Sequence, residues 1–153
     1  MFKPVFNSID DEWVIMVGRY ILNMGAIEMA TRLLINKIEG TDKVPIFNDD
    51  LAARIAFIRK RFPQQNKDKH KSAMNTLGVA NKHTKFRNIV AHSPISMTSL
   101  EDGNYHINGI LDVTPKSYDT IAQLISIDEL KCRVNESALV AKKLLEMQGD
   151  INE

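Results

Sequence analysis

The sequence predicts a mainly α-helical bundle with a small β-hairpin inserted before its last helix. Two observations carry this. Long stretches repeat their apolar residues at helical spacing, and one short stretch near residue 100 alternates in twos around an Asp-Gly pair. The chain has 153 residues, 44% of them hydrophobic and 25% charged. That is ordinary for one globular domain with a real core, so residues 1–153 are read as a single domain. No apolar run approaches the length of a membrane span, and the first residues lack the layout of a signal peptide. A single cysteine, Cys132, excludes an internal disulfide framework and fits a reducing compartment. The expected location is the cytoplasm.

Residues 9–39 read as one long helix. Trp13, Tyr20, Ile27 and Leu34 recur every seven residues, and Val17, Met24, Thr31 and Ile38 recur on an offset phase. This is the pattern of a bundle or coiled-coil seam. Ser8 with Asp11 marks a start and Gly40 a stop. Gly18 and Gly25, also seven apart, cost helix stability and are tolerated where another backbone packs closely. A second copy of the helix is one candidate, and a homodimer is expected.

Asn48-Asp49-Asp50 caps a second helix over about 49–62, ended by Pro63. Its stripe is Leu51, Ile55, Ile58 and Phe62, with Arg54 and Arg61 placed off it. A polar loop over 63–69 leads to a third helix, about 70–92. Ile95 and Met97, then Tyr105 and Ile107 after Asp102-Gly103, read as a hairpin over 95–113. Residues 114–125 are ambiguous between coil, strand and helix. Ser126 and Glu129 form a capping box for a last helix, about 127–147, before Gly149.

Charge is unevenly spread. Residues 54–87 hold ten basic side chains against Asp68 alone, while both flanking regions are acidic. Such a block supplies the local positive field that a phosphate-rich ligand needs, although lysine runs are commonly solvated helix faces. Arg54, Arg59, Lys60, Arg61, His83 and Lys85 are the candidate RNA-contacting residues within it. His70 and His83 are otherwise expected on the surface of a basic helix, and His106 on the surface of a strand.

The basic block runs into Arg87-Asn88-Ile89-Val90-Ala91-His92, followed by Ser93-Pro94. A guanidinium offers a planar fork of donors to a phosphate. An imidazole exchanges a proton near neutral pH, the requirement for general acid–base chemistry. Asn88 and His92 are four apart and share a helix face. Arg87 and His92 are five apart, about 140° around the helix, so Arg87 reaches the same space from the flank or serves a site shared with another chain.

Arg87 to His92 resembles the signature of the HEPN superfamily: an arginine, a polar residue, a few more residues and a histidine, late in a helical bundle that begins with a long amphipathic helix. The resemblance implies a small helical domain that dimerises with two motifs facing each other. It also implies a metal-independent endoribonuclease of the toxin–antitoxin, phage-defence or RNA-processing kind. Arg87, Asn88 and His92 would be catalytic, the RNA 2′-hydroxyl would attack, and the ends left would be a 2′,3′-cyclic phosphate and a 5′-hydroxyl. The implied partners are RNA, a second copy, and an antitoxin or nucleotidyltransferase. Pro94 stands where one subgroup carries the tyrosine that such a nucleotidyltransferase modifies. Other members of the superfamily have lost catalysis and serve as binding modules for RNA, nucleotides or proteins.

Glu28, on the first helix, is a candidate to orient Arg87, against the simpler alternative of pairing with Arg32 four residues on. No cofactor is expected. The four histidines are scattered without i,i+4 spacing, which disfavours a metal site, and Asp49-Asp50 reads as a helix N-terminus. A Gly-rich phosphate loop and a Gly-x-Ser-x-Gly elbow are both absent from the sequence.

Overall fold

The computed structural model describes residues 10–41, 50–112 and 123–151. Within them the chain runs α1 (Asp11–Glu39), α2 (Leu51–Arg61), α3 (Lys67–His92), β1 (Ile95–Ser99), β2 (Tyr105–Asp112), β3 (Gln123–Ile125) and α4 (Ile127–Glu146), closed by a 3-10 turn, Met147–Ile151. The fold is mainly helical, with a small antiparallel sheet before the last helix, as the sequence predicts. No helix among the described residues is long and apolar enough to cross a membrane.

α1 is the axis of the bundle. It packs along α4 and also meets α2 and α3. Trp13, Tyr20, Ile27 and Leu34 are all buried, with Met24 and Thr31 beside them. The heptad pattern is therefore satisfied inside one chain, not held for a second copy. Asn23 ties α1 to α4 by donating to the Val134 carbonyl and Ser137 Oγ, each at 3.0 Å. Gly40 ends α1 in the left-handed conformation, φ 67°, and Thr41 N–H returns to the Asn36 carbonyl. This closure satisfies carbonyls left open at the helix end.

Gly18 and Gly25 lie on a different face. Val14, Gly18, Ile21, Leu22, Gly25 and Met29 follow one another in steps of four, three, one, three and four. Leu22 is 74% exposed and Val14 59%. A Cβ built on either glycine would meet nothing within 4 Å. Among the described residues, an apolar strip along α1 is thus left exposed.

The caps set the other helix starts. Asp50 accepts from Ala53 N–H at 2.8 Å, so α2 opens at Leu51. Asn66 accepts from Lys69 N–H at 3.1 Å, which starts α3 at Lys67, three residues before the sequence expectation. Ser126 accepts from Glu129 N–H at 3.1 Å, as the capping box requires. The expected roles of Ser8, Asn48 and Asp49, and residues 113–122, lie outside the described residues.

The expected hairpin is two strands of a three-stranded sheet, ordered β1-β2-β3. Gly103, φ 82°, makes the turn, and Asp102 holds Asn104 by both backbone and side chain. A bulge between Ser96 and Met97 shifts the register of β1 on β2. The sheet is bound both to the end of α3 and to the start of α1. Leu111 N–H donates to the Pro94 carbonyl, just past the motif. Asp10, fully buried at the start of α1, accepts from Ile107 N–H and sits 3.0 Å from His106 Nδ1.

Candidate functional site

Arg87 and Asn88 lie five and four residues before the last residue of α3, on the side that meets α1 and α2. They line an open cleft of about 410 Å³, together with Met24, Glu28 and Arg32 of α1 and Leu51 and Arg54 of α2. Arg87 Nη1 donates to Asn88 Oδ1 at 3.3 Å. The carboxamide thus tethers the guanidinium loosely while leaving most of its donors for another group.

Three guanidiniums, those of Arg32, Arg54 and Arg87, therefore surround one cleft, with Glu28 and Asp50 on its wall. Arg54 is only 4% exposed, which corrects its placement off the apolar stripe of α2. Arg32 is absent from the site that the sequence suggests. Its Nε is buried and makes no hydrogen bond, and no ion pair links it to Glu28 among the described residues. The i,i+4 pair that the spacing suggests is thus not made. Glu28 and Arg32 both face the cleft. Among the described residues that line the cleft, three guanidiniums meet two carboxylates, a positive balance that suits an anionic occupant.

His92 does not line this cleft. It is the last residue of α3 and is exposed. Ser93 N–H closes the helix on the Ile89 carbonyl at 2.9 Å. The chemistry-bearing segment is therefore split: Arg87 and the exposed Asn88 border the cleft, and His92 lies outside it, exposed at the helix end.

The other expected contacts disperse. Arg59, Lys60 and Arg61 are exposed in the last turn of α2, with the Arg61 guanidinium 3.9 Å from the centre of the Phe57 ring. Lys85 is exposed and borders a separate groove with Lys82, Leu124 and Arg133. His83 cannot contact a ligand in this structure. Its side chain is fully buried, 2.8 Å from Glu136 Oε1. This overturns both its surface placement and its assignment to RNA. His106 is partly exposed and paired with Asp10.

No protein-family model matches the chain, and no curated protein and no solved structure gives a significant match. Among the described residues, no three His, Cys, Asp or Glu side chains gather as a metal site would require.

Proposed function

We propose that the protein is a homodimeric, HEPN-like endoribonuclease that works without metal. Arg87 binds the scissile phosphate, Asn88 orients that guanidinium, and His92 transfers a proton. The observation that carries this is the cleft itself. Arg87 and Asn88 open onto a space that also receives Arg32 and Arg54, on the same helix that ends at His92.

The chemistry needs little beyond these groups. As the 2′-oxygen attacks phosphorus, its proton leaves to a base. As the bond from phosphorus to the 5′-oxygen breaks, that oxygen collects a proton. An exposed imidazole suits either transfer, and guanidiniums offset the charge that builds on the phosphoryl oxygens. Because His92 stands outside the cleft of its own chain, the reading assigns the complete site to two copies. The exposed α1 strip with Gly18 and Gly25 offers the surface for that pairing, since glycine permits close helix approach. The setting would be a toxin–antitoxin or phage-defence system, with an antitoxin as a partner.

The same separation of His92 from the cleft supports a second reading, a non-catalytic module that binds RNA, a nucleotide or a protein partner. Incubation with single-stranded RNA in EDTA separates the two. Cleavage of RNA, with DNA of the same sequence left intact, is the expected result. RNA that is bound but never cut assigns the protein to the binding class.

A further inference from the structure

Behind the Arg87 turn lies a polar cluster with no part in the chemistry proposed above. His83 sits one helical turn before Arg87 on α3. Its Nδ1 is 3.0 Å from the Tyr20 hydroxyl of α1, and its Nε2 is 2.8 Å from Glu136 Oε1 of α4. The Tyr20 hydroxyl also reaches the His83 carbonyl, at 3.4 Å. Phe86, the residue before Arg87, is held from two sides. The Tyr20 ring meets it edge-on at 5.3 Å, and the Arg133 guanidinium lies 5.0 Å from its centre. Arg133 approaches Glu136 at 3.5 Å and Glu129 at 4.0 Å. Three helices thus converge on one imidazole, and residues 83–87 are the segment they fix.

This arrangement suits a neutral ring. In the tautomer protonated on Nε2, Nδ1 accepts the Tyr20 hydroxyl hydrogen, and Nε2 lies 2.8 Å from the Glu136 carboxylate but out of line for a hydrogen bond. A second proton on the ring would occupy Nδ1 and point at the hydroxyl. The hydroxyl hydrogen would then have to turn to the His83 carbonyl, a longer contact. The charged and titratable groups facing the ring are Tyr20 from α1 and Glu136 and Arg133 from α4. Arg87 on α3 acts on Tyr20. Burial is the largest influence and holds His83 below the ordinary histidine value, with Arg133 adding to it and Glu136 opposing it.

We infer that His83 is a positioning residue for Arg87: its neutral imidazole fastens α3 to the Tyr20 hydroxyl of α1, and a proton gained on Nδ1 breaks that hydrogen bond and loosens the turn that sets the Arg87 guanidinium in the cleft. The functional consequence, weaker phosphodiester binding in mild acid, rests on the reading of Arg87 given above. The coupling between the two side chains does not.

The test is an NMR titration of the full chain from neutral to acid pH, following the His83 ring and the Arg87 Nε–H signal. The Arg87 signal should move with the midpoint of the His83 ring, and the movement should vanish in His83→Gln. An Arg87 signal that stays flat while His83 titrates overturns the inference. So does one that moves equally in His83→Gln, or a His83 ring that never titrates before the protein unfolds. Should His83→Gln fail to fold, Glu136→Gln serves instead, because Glu136 is half exposed. Removing that carboxylate should lower both midpoints together, and midpoints that part company refute the coupling. Affinity for 2′-O-methyl RNA, which cannot be cut, is measured alongside. It should fall several-fold more on acidification in the wild type than in His83→Gln. RNA that fails to bind at any pH sinks the phosphodiester reading, while the NMR coupling still decides the role of His83.

Discussion

Asp10 and Ile107, 97 residues apart, are joined by a buried hydrogen bond of 3.0 Å from the Ile107 amide to the Asp10 carboxylate. It fastens the start of α1 to the central strand of the sheet, and His106 closes on the same oxygen. The sheet in turn holds Pro94, immediately after the motif, through Leu111 N–H. The end of α3, where His92 sits, is thus braced by the start of α1.

Asp10→Ala should therefore destabilise the fold. It strands a buried amide, which costs about 1–3 kcal/mol. Urea unfolding of the variant should show the loss as a lower midpoint with an unchanged slope. An unchanged midpoint would mean that the brace contributes nothing.

Two glycines should respond in opposite directions to alanine. A Cβ on Gly109 would lie 2.6 Å from the Ile125 carbonyl oxygen and 2.7 Å from the Leu124 side chain. The backbone oxygen cannot yield without breaking the β2–β3 pairing, so Gly109→Ala should cost about 1–3 kcal/mol by overpacking. Gly18 has open space around it. Gly18→Ala should stabilise a dilute, monomeric chain by roughly 0.5–1 kcal/mol through helix propensity. The same change should weaken the proposed dimer if the α1 strips meet at their glycines. Sedimentation across a concentration series reads the second effect. A Gly18→Ala dimer as tight as wild type would place the dimer interface elsewhere.

Acid should erode stability through His83. Its folded value lies below its unfolded value because of burial. In the pH range between the two, the unfolded chain binds more protons than the folded one, so stability falls as pH drops. The loss begins near the ordinary histidine value, about 6.5, and levels off below the folded one. Chemical denaturation from pH 7.5 downward should show this slope in the wild type. His83→Gln should flatten it, and an equal slope in that variant would exclude His83 as its source.

The exposed Arg59, Lys60 and Arg61 should act on RNA through the field alone. Reversing all three to glutamate should reduce RNA affinity without unfolding the protein. It should also make binding less sensitive to salt, by roughly one unit of slope for each phosphate that is no longer neutralised. Affinity that survives the reversal would make these three side chains solvated surface.

Much of this architecture is legible in the sequence because caps and periodicity are local. Asp50, Gly40 and Ser126 mark helix ends where the structure has them. The first turn of α3 is not legible, since Lys67-Asp68-Lys69 offers no apolar residue to announce a helix. β3 has three residues, too few to show alternation. Burial of polar side chains is the larger gap. His83 stands in step with Thr76, Leu77, Ala80 and Phe86, all buried, and Arg54 is four residues before Ile58. That spacing is the signal that places both inside, but the polarity of histidine and arginine argues for the surface and masks it. Arg32 needs the tertiary fold, because only the packing of α1 on α2 and α3 turns it toward Arg87.

The central claim is that Arg87 and His92 divide the work on a phosphodiester. The most direct measurement is the end-group chemistry of single-stranded RNA incubated in EDTA with wild type, Arg87→Ala and His92→Ala, each shown folded by circular dichroism. Wild type should leave cyclic phosphates. His92→Ala should bind RNA and leave it whole, because it lacks the proton-transferring group. Arg87→Ala should lose both binding and cleavage. Cyclic-phosphate ends produced at the wild-type rate by folded His92→Ala would contradict the account.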